Sequence, residues 1–432
     1  MNLYNLKKIV IILNEIFLSL ACKLKSPYLC AMSWKVSLFF TNFYNRSKLN
    51  KKILVLYRSY GINDLEKLKE DEKNEYSFLY FPRTNFKIIF NYFFSKVDHD
   101  LSDDKYFSEK KEINDAKKKY KIFIYETLKI FNKKKKFLAI ISFNYRYRAE
   151  KELHAVCKPL NIKFIVFQKE SLHYSDDSEI TKSYIKTNSK NGSYKGDYLV
   201  VYTEGMKNVL ISASIAEKNK IFVTGMPRAD NYYKQFEPLK KHILYLLPSW
   251  RPPLELEREF FLNQKYYGES VTKIILKFAE NNPYEKIIIK TKLSKNNLVN
   301  LDDLINKKKI KNVLIKKGGD IESLIKDSKV VIGFQSSALI ESIILKKPII
   351  IPYFNLNKSE KFKKCILKLE EFSYYAYDEN SMNNYLNDIC INKIEFPKVD
   401  ETKRKKIINH YIGNSDGKSA SRLLDTLNKI LI

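Results

Sequence analysis

Val330-Val-Ile-Gly-Phe-Gln-Ser-Ser-Ala-Leu-Ile-Glu-Ser-Ile-Ile-Leu-Lys-Lys-Pro-Ile-Ile-Ile351 decides the fold. A β-branched apolar run, Val330 to Ile332, stops at Gly333, and the polar turn Gln335-Ser336-Ser337 follows. Leu339, Ile340, Ile343 and Ile344 then recur at helical spacing, and after Lys347-Pro348 a second β-branched run begins. Strand, helix and strand in this order, with strands that are apolar throughout rather than alternating, point to a parallel sheet covered on both faces.

The same style extends in both directions. Towards the C-terminal half the apolar runs are Ile243 to Leu247, Lys286 to Lys290, Val313 to Ile315 and Pro348 to Pro352. Towards the N-terminal half they are Lys52 to Tyr57, Phe137 to Ser142, Phe164 to Phe167, Tyr198 to Tyr202 and Ile221 to Thr224. Between Arg146 and Lys163, Ala149, Leu153, Val156 and Leu160 share one helical face. Two sets of strands imply an α/β protein of two doubly wound, Rossmann-like domains. The natural joint is the Pro-containing polar segment from Asn231 to Lys241. The expected division is 1–236, 237–400 and a C-terminal helix within 401–432, where Leu423, Leu424, Leu427, Ile430 and Leu431 are helically spaced and expected to pack across the joint. Residues 60–135 show no clear strand pattern.

Composition limits the function. Over 432 residues, 78 Lys+Arg stand against 49 Asp+Glu, a net charge of +29. A hydrophobic fraction of 44% supplies sizeable cores and excludes a disordered chain, and 11 Gly with 12 Pro exclude collagen-like material. The charge fits a polyanionic partner or plain compositional drift, and its spread along the chain favours drift. Cys22, Cys30, Cys157, Cys365 and Cys390 are odd in number, widely spaced and free of CxxC, as reduced cytoplasmic thiols are. Lys7-Lys8 precede an apolar run from Ile9 to Ala21, but Asn14 and Glu15 interrupt it and it is too short to span a bilayer. It reads as a helix packed on the protein, ahead of one lying on a membrane surface. The expected location is cytoplasmic, with peripheral contact at the inner membrane face.

Several motifs fail on their context. Gly417-Lys418-Ser419 lacks the earlier glycine of a P-loop, Ile412 standing there, and no strand precedes it. Asp98-His99-Asp100 has the DxD form but reads as a solvated turn. The 5 His are scattered, so no metal site is expected. Lys133 to Lys136 reads as a solvated helix end.

Ser336 and Ser337 open a helix after a strand. Backbone N–H groups there, the helix dipole and the hydroxyls suit a phosphate, and Glu341 one turn on suits ribose hydroxyls. An ordinary N-cap has the same appearance. In a parallel sheet the loops after the strands' carboxyl ends line the crevice. Glu170 and His173 follow the run Phe164 to Phe167 and are suited to deprotonate a hydroxyl, while a surface loop is the plain alternative.

Ser336, Ser337, Glu341, Lys347 and Pro348 together resemble the donor-nucleotide segment of GT-B glycosyltransferases, in particular the CDP-glycerol glycerophosphotransferase-like group of surface-polysaccharide enzymes. Val223-Thr-Gly-Met-Pro-Arg-Ala-Asp230, Leu246-Leu-Pro-Ser-Trp-Arg251 and Asp416-Gly-Lys-Ser-Ala-Ser-Arg422 are similar to three further elements of that group, in the same order. One element departs: Lys290-Thr-Lys-Leu293 stands where the group usually has a Pro-His-Pro, which puts Lys292 at the histidine position. The resemblance implies two Rossmann-like domains facing a central cleft, with a C-terminal helix crossing back. It implies a transferase that moves a sugar or glycerol-phosphate group from a nucleotide-activated donor, such as CDP-glycerol, to a cell-surface polysaccharide or lipid-linked, teichoic-acid-like acceptor. Ser336, Ser337, Glu341, Arg251 and Lys292 are the expected donor contacts. Glu170, His173 and Arg228 are the expected catalytic groups, Arg228 having a structural anchor as its alternative. No cofactor, metal or specific nucleic acid is expected. A GT-B-fold nucleotide-sugar 2-epimerase and a non-enzymatic polyanion or membrane binder are the competing classes.

Overall fold

A computed structural model describes residues 3–43, 49–57, 61–95, 106, 110–167, 193–235, 237, 239–247, 257–291, 301, 305, 310–354 and 367–431. Residues up to 167, 193–228 and 418–431 form one compact unit, and 229–417 form a second. The chain leaves the first unit between Arg228 and Ala229, ahead of the boundary expected at 236, and its last helix returns to it.

In the first unit, helices α1 (Leu3–Lys23) and α2 (Pro27–Thr41) precede β1 (Lys51–Tyr57), α3 (Gly61–Leu68), β2 (Tyr76–Pro82), α4 (Thr84–Phe94) and α5 (Lys111–Asn132). There follow β3 (Phe137–Ser142), the short α6 (Leu153–Cys157), β4 (Lys163–Phe167), β5 (Tyr198–Val201), α7 (Glu204–Ser212) and β6 (Ile221–Val223). The six strands are parallel in the order β2-β1-β3-β4-β5-β6. β1, β3 and β4 are apolar on both faces because helices cover both, as the continuous runs imply. On one face Trp34 meets Phe81, Phe86 and Phe131 at ring-centroid distances of 5.3, 4.8 and 5.5 Å. The other core holds Ile53, Val55, Phe78 and Ile141 together with Leu423, Leu424, Leu427 and Ile430 of the last helix. The helix expected between Arg146 and Lys163 is broken into α6 and flanking 3-10 turns.

In the second unit, β7 (His242–Leu246), α8 (Glu257–Asn281), β8 (Ile287–Thr291), β9 (Val313–Lys317) and α9 (Ile321–Lys326) lead to β10 (Ser328–Ile332), α10 (Ser337–Ile344), β11 (Ile349–Pro352), β12 (Tyr374–Ala376), α11 (Glu379–Cys390) and α12 (Glu401–Ile412). Its parallel sheet runs β12-β11-β10-β7-β8-β9. This is the dinucleotide-fold order, whose direction reverses between β7 and β10. Helix α13 (Ser419–Leu431) closes the chain. Residues 401–432 are therefore two helices: Gly413, at φ 64°, ends α12 in the left-handed conformation that favours glycine.

Lys133, Lys134 and Lys136 are exposed beyond the end of α5, as a solvated helix end requires. Asp98-His99-Asp100 lies outside the described residues. Cys22, Cys30 and Cys157 are buried free thiols, and burial holds Cys22 up to about 12, so these sulfurs are packing groups rather than reactive ones.

Candidate functional site

The order reversal between β7 and β10 fixes where a ligand belongs in the second unit, since crevices in such sheets open beyond the carboxyl ends at that point. Gly333 stands there directly after β10. A Cβ on it would lie 3.0 Å from the Cβ of Leu246, the last residue of β7, so any side chain here would require Leu246 to give way by a few tenths of an ångström. Gln335 follows at φ 51°, a left-handed conformation that costs a non-glycine residue about 1–2 kcal/mol. Its side chain is buried, with 8% exposure. Oε1 accepts from the Leu367 backbone N–H at 3.1 Å, but Nε2 has no hydrogen-bond partner. A buried amide donor left unsatisfied costs about 1–3 kcal/mol. The same edge holds a second such atom, the Oγ1 of Thr291 at the end of β8. Strain and unmet hydrogen bonding therefore collect at the carboxyl edge of one sheet.

Ser336 is the N-cap of α10, its Oγ accepting from Ala338 N–H at 3.3 Å, and Ser337 is the first helical residue; both are partly exposed. The far end of α10 is braced by Arg404, which donates through Nη1 to the carbonyls of Ile343 and Ile344 at 3.1 and 3.0 Å and pairs with Glu401. A cation on these C-terminal carbonyls reinforces the helix dipole whose positive end lies at Ser336 and Ser337. Lys347 is buried and donates to the carbonyls of Lys326 and Ser328 at 2.6 and 2.8 Å, which ties the turn after α10 to the start of β10. Burial lowers its ammonium to about 8.

Glu341 is 2% exposed, and its Oε2 accepts from the Tyr232 hydroxyl at 2.5 Å. In this conformation the carboxylate holds Tyr232. That residue lies two positions after Asp230, so α10 is tied to the start of the second unit. Asp230 itself accepts from Asn414 Nδ2 at 2.6 Å. Gly417, at φ 70°, packs so closely on Tyr233 that a Cβ would lie 2.9 Å from its Cβ. The glycine of Gly417-Lys418-Ser419 thus serves a tight turn rather than a phosphate loop.

Arg228 belongs to the first unit. Its Nη1 lies 3.0 Å from Asp64 Oδ2, and its backbone N–H donates to Asp64 Oδ1 at 3.1 Å. The Tyr202 hydroxyl donates to the same carboxylate at 2.5 Å. Asp64 lies on α3, Tyr202 follows β5 and Arg228 follows β6, so the cluster joins three elements. Arg422 of α13 donates from Nε to the Thr224 carbonyl at 3.0 Å in the same unit.

The structure places Ser336, Ser337 and Glu341 at and along α10 in the second unit, and places Arg228 with Asp64 and Tyr202 in the first. Glu170, His173, Arg251 and Lys292 lie outside the described residues. Sequence reasoning missed Asp64, Tyr202 and Tyr232, and it passed over Gln335 and Thr291. Gln335 carried one legible signal, a large polar side chain inside a strand-to-helix turn. Among the described residues no group of three or more His, Cys, Asp or Glu is placed to hold a metal, and no helix is long and apolar enough to cross a membrane.

One protein-family model matches most of the chain. The model of CDP-Glycerol:Poly(glycerophosphate) glycerophosphotransferase matches residues 84–429. Among solved structures, a variant of the wall teichoic acid polymerase TagF is similar with TM-score 0.51 and 14% identity, covering 97% of this chain and 98% of that one. The same polymerase soaked with CDPG gives TM-score 0.50. The UDP-GlcNAc 2-epimerase of Methanocaldococcus jannaschii gives TM-score 0.46 at 16% identity over 88% of this chain and 99% of that one. No curated protein matches significantly. The two doubly wound sheets are the GT-B-like arrangement seen in TagF. The family match extends over most of the chain, taking in the whole second sheet and β3 to β6 of the first, and the chain belongs to the CDP-glycerol:poly(glycerophosphate) glycerophosphotransferase family of transferase enzymes.

Proposed function

We propose that the second unit binds CDP-glycerol at the N-terminus of α10 and that the enzyme transfers glycerol phosphate to a hydroxyl of a teichoic-acid-like acceptor. The observation that carries this is Gln335: its buried amide nitrogen is unpartnered beside a helix N-terminus at the strand-order reversal. A diphosphate oxygen supplies the missing acceptor. Ser336, Ser337 and the first N–H groups of α10 hold the diphosphate, and the reinforced helix dipole favours its charge. Glu341 sets the ribose side of the site through Tyr232. The acceptor oxygen attacks the glycerol-bearing phosphorus, the bond from that phosphorus to the bridging oxygen breaks, and CMP leaves with the electron pair. Glu170 or His173 takes the acceptor's proton. Arg228, Arg251 and Lys292 offset the negative charge that builds on CMP, without a metal ion.

The test is thermal shift with CDP, UDP, GDP and CMP at low and high salt. Stabilisation by CDP that survives salt supports the reading, and loss of it in Ser337→Ala or Gln335→Gly places the site. Stabilisation by any polyanion that vanishes with salt defeats it. Turnover unaffected by EDTA is expected; abolition restored by Mg²⁺ contradicts the metal-free step.

We further propose that α1 and α2 seat the enzyme on an anionic membrane surface. One side of α1 is buried through Leu18, Ala21 and Cys22, which is the packed helix the sequence favours. Its other side exposes Ile12, Ile16, Phe17 and Leu20, and α2 continues this with Val36, Phe39 and Phe40. An apolar face of this size with exposed Lys23 and Lys25 at the turn suits interfacial insertion. Flotation with anionic but not neutral liposomes, lost in Ile16→Glu/Phe17→Glu, is expected. Indifference to lipid charge removes the electrostatic part, and no flotation at all removes the proposal.

A further inference from the structure

The first unit contains a cavity of about 220 Å³ that the nucleotide site does not use. Its floor is the aromatic ring of Tyr106. Lys117 of α5 places its ammonium 4.5 Å from that ring's centroid, and Lys151, just before α6, places its own 5.4 Å from the same centroid. Lys121, one turn along α5, and Arg146 and Lys195, from loops after β3 and before β5, complete the basic lining. Two carboxylates share the lining. Glu150 is buried and bound to Arg83 Nε at 2.7 Å, and Glu152 lies 3.4 Å from Lys121 while it accepts from the Tyr106 hydroxyl at 2.5 Å. The described lining thus carries five basic side chains against two carboxylates, both already engaged, Glu150 by Arg83 and Glu152 by Lys121 and Tyr106.

Two half-buried ammonium groups gathered on one ring repel each other, although each also gains from the ring's face. An anion that enters offsets the remaining repulsion. Burial pulls the Lys117 ammonium below its ordinary value, with Lys121 and Lys195 adding to the lowering against Glu152. Burial likewise lowers His154, whose Nδ1 contacts the Lys151 carbonyl oxygen at 2.7 Å. Three elements contribute cations, so this is a concave receptor rather than the flank of a lysine-rich helix. Lys118 and Lys119, beside Lys117 on the same helix, are exposed and outside it.

We infer that this cavity binds a phosphate ester, with Lys117, Lys121 and Lys151 on the phosphoryl oxygens and the Tyr106 ring beneath the attached carbon skeleton. The volume fits a glycerol-phosphate-sized unit, and the basic lining suits either a dianionic monoester or one link of a phosphodiester chain. The site stands on the first unit's own geometry and does not require the nucleotide reading of the second.

The experiment is calorimetric titration of the full chain at about 150 mM salt with glycerol 3-phosphate, inorganic phosphate and dimethyl phosphate. Saturable 1:1 binding is expected, weakened at least about tenfold in Lys117→Gln/Lys121→Gln and unchanged in the charge-matched Lys118→Gln/Lys119→Gln. Lys195→Gln, an exposed position, provides the same comparison, with a loss of about threefold, if the double variant does not fold. Binding of dimethyl phosphate identifies the occupant as a link of a diester polymer. Binding of the monoester and inorganic phosphate alone identifies a small phosphorylated metabolite. No saturable binding, or equal loss in both lysine pairs, overturns the inference. Loss in Ser337→Ala with none in Lys117→Gln/Lys121→Gln also overturns it, because the phosphate then sits in the second unit.

Discussion

At the residue scale, the informative side chains are those held against their ordinary preferences. Asp64 is buried against Arg228 and Tyr202, so the ion pair exchanges solvation for mutual attraction inside the first unit. Removing one member leaves the other charge buried without compensation, which costs about 3–5 kcal/mol. Arg228→Ala is therefore expected to lower stability by that order, measured by urea denaturation, while Asp64→Asn/Arg228→Met loses clearly less than the sum of its parts. Additive losses would show that the two do not interact. This test matters for catalysis, because an Arg228 variant that unfolds also loses turnover. Gln335 behaves differently. Gln335→Gly relieves the left-handed backbone and gives up the bond to Leu367, two effects of about 1 kcal/mol and opposite sign. Stability is expected to stay nearly level while CDP affinity falls, a separation that a purely structural glutamine does not produce.

At the element scale, α10 is short, and its orientation depends on what holds its ends. Ser336 caps one end, while Arg404 binds carbonyls at the other. Arg404→Ala is expected to cost about 1–3 kcal/mol and to weaken nucleotide binding from a distance, since the helix end loses both bonds and charge. β7 begins with His242, whose Nε2 contacts the Leu324 carbonyl oxygen at 3.0 Å and whose imidazole is lowered by burial. A histidine with a depressed folded-state value binds fewer protons folded than unfolded once pH falls below about 6.5. Its contribution is present at neutral pH and lost on acidification. Tm should fall between pH 7 and 5, and His242→Gln should make that slope shallower; an unchanged slope would show that other groups control it. The strand pattern was legible because buried parallel strands are apolar throughout. β2 was missed because its aromatic run, Tyr76 to Pro82, lies in a charged stretch without β-branched residues, and β12 because it is three residues long.

At the scale of the whole molecule, the chain crosses from the first unit to the second and returns for α13. The returning helix inserts Leu423, Leu424, Leu427 and Ile430 into the core beside β1 and β3. At about 1.5–3 kcal/mol for each buried side chain, these four supply an amount comparable with the net stability of a domain. Deleting residues 418–432 is expected to leave the first unit open to limited proteolysis while the second sheet's segments remain protected; equal protection of both would show that α13 is dispensable. The sequence by itself determined the class of the protein. Apolar strands alternating with amphipathic helices point to a parallel α/β architecture, and the order of four short elements pointed to the family. It placed Ser336, Ser337 and Glu341 on one helix because local spacing alone sets helical neighbours. It did not determine that Arg228 meets Asp64, that Glu341 meets Tyr232, that Gln335 is buried with an unmet donor, or that Lys117 of α5 and Lys151, just before α6, converge on Tyr106. These are contacts between residues separated by tens to hundreds of positions. Only tertiary structure decides them, because strand order and helix packing, rather than local periodicity, select which side chains share a space.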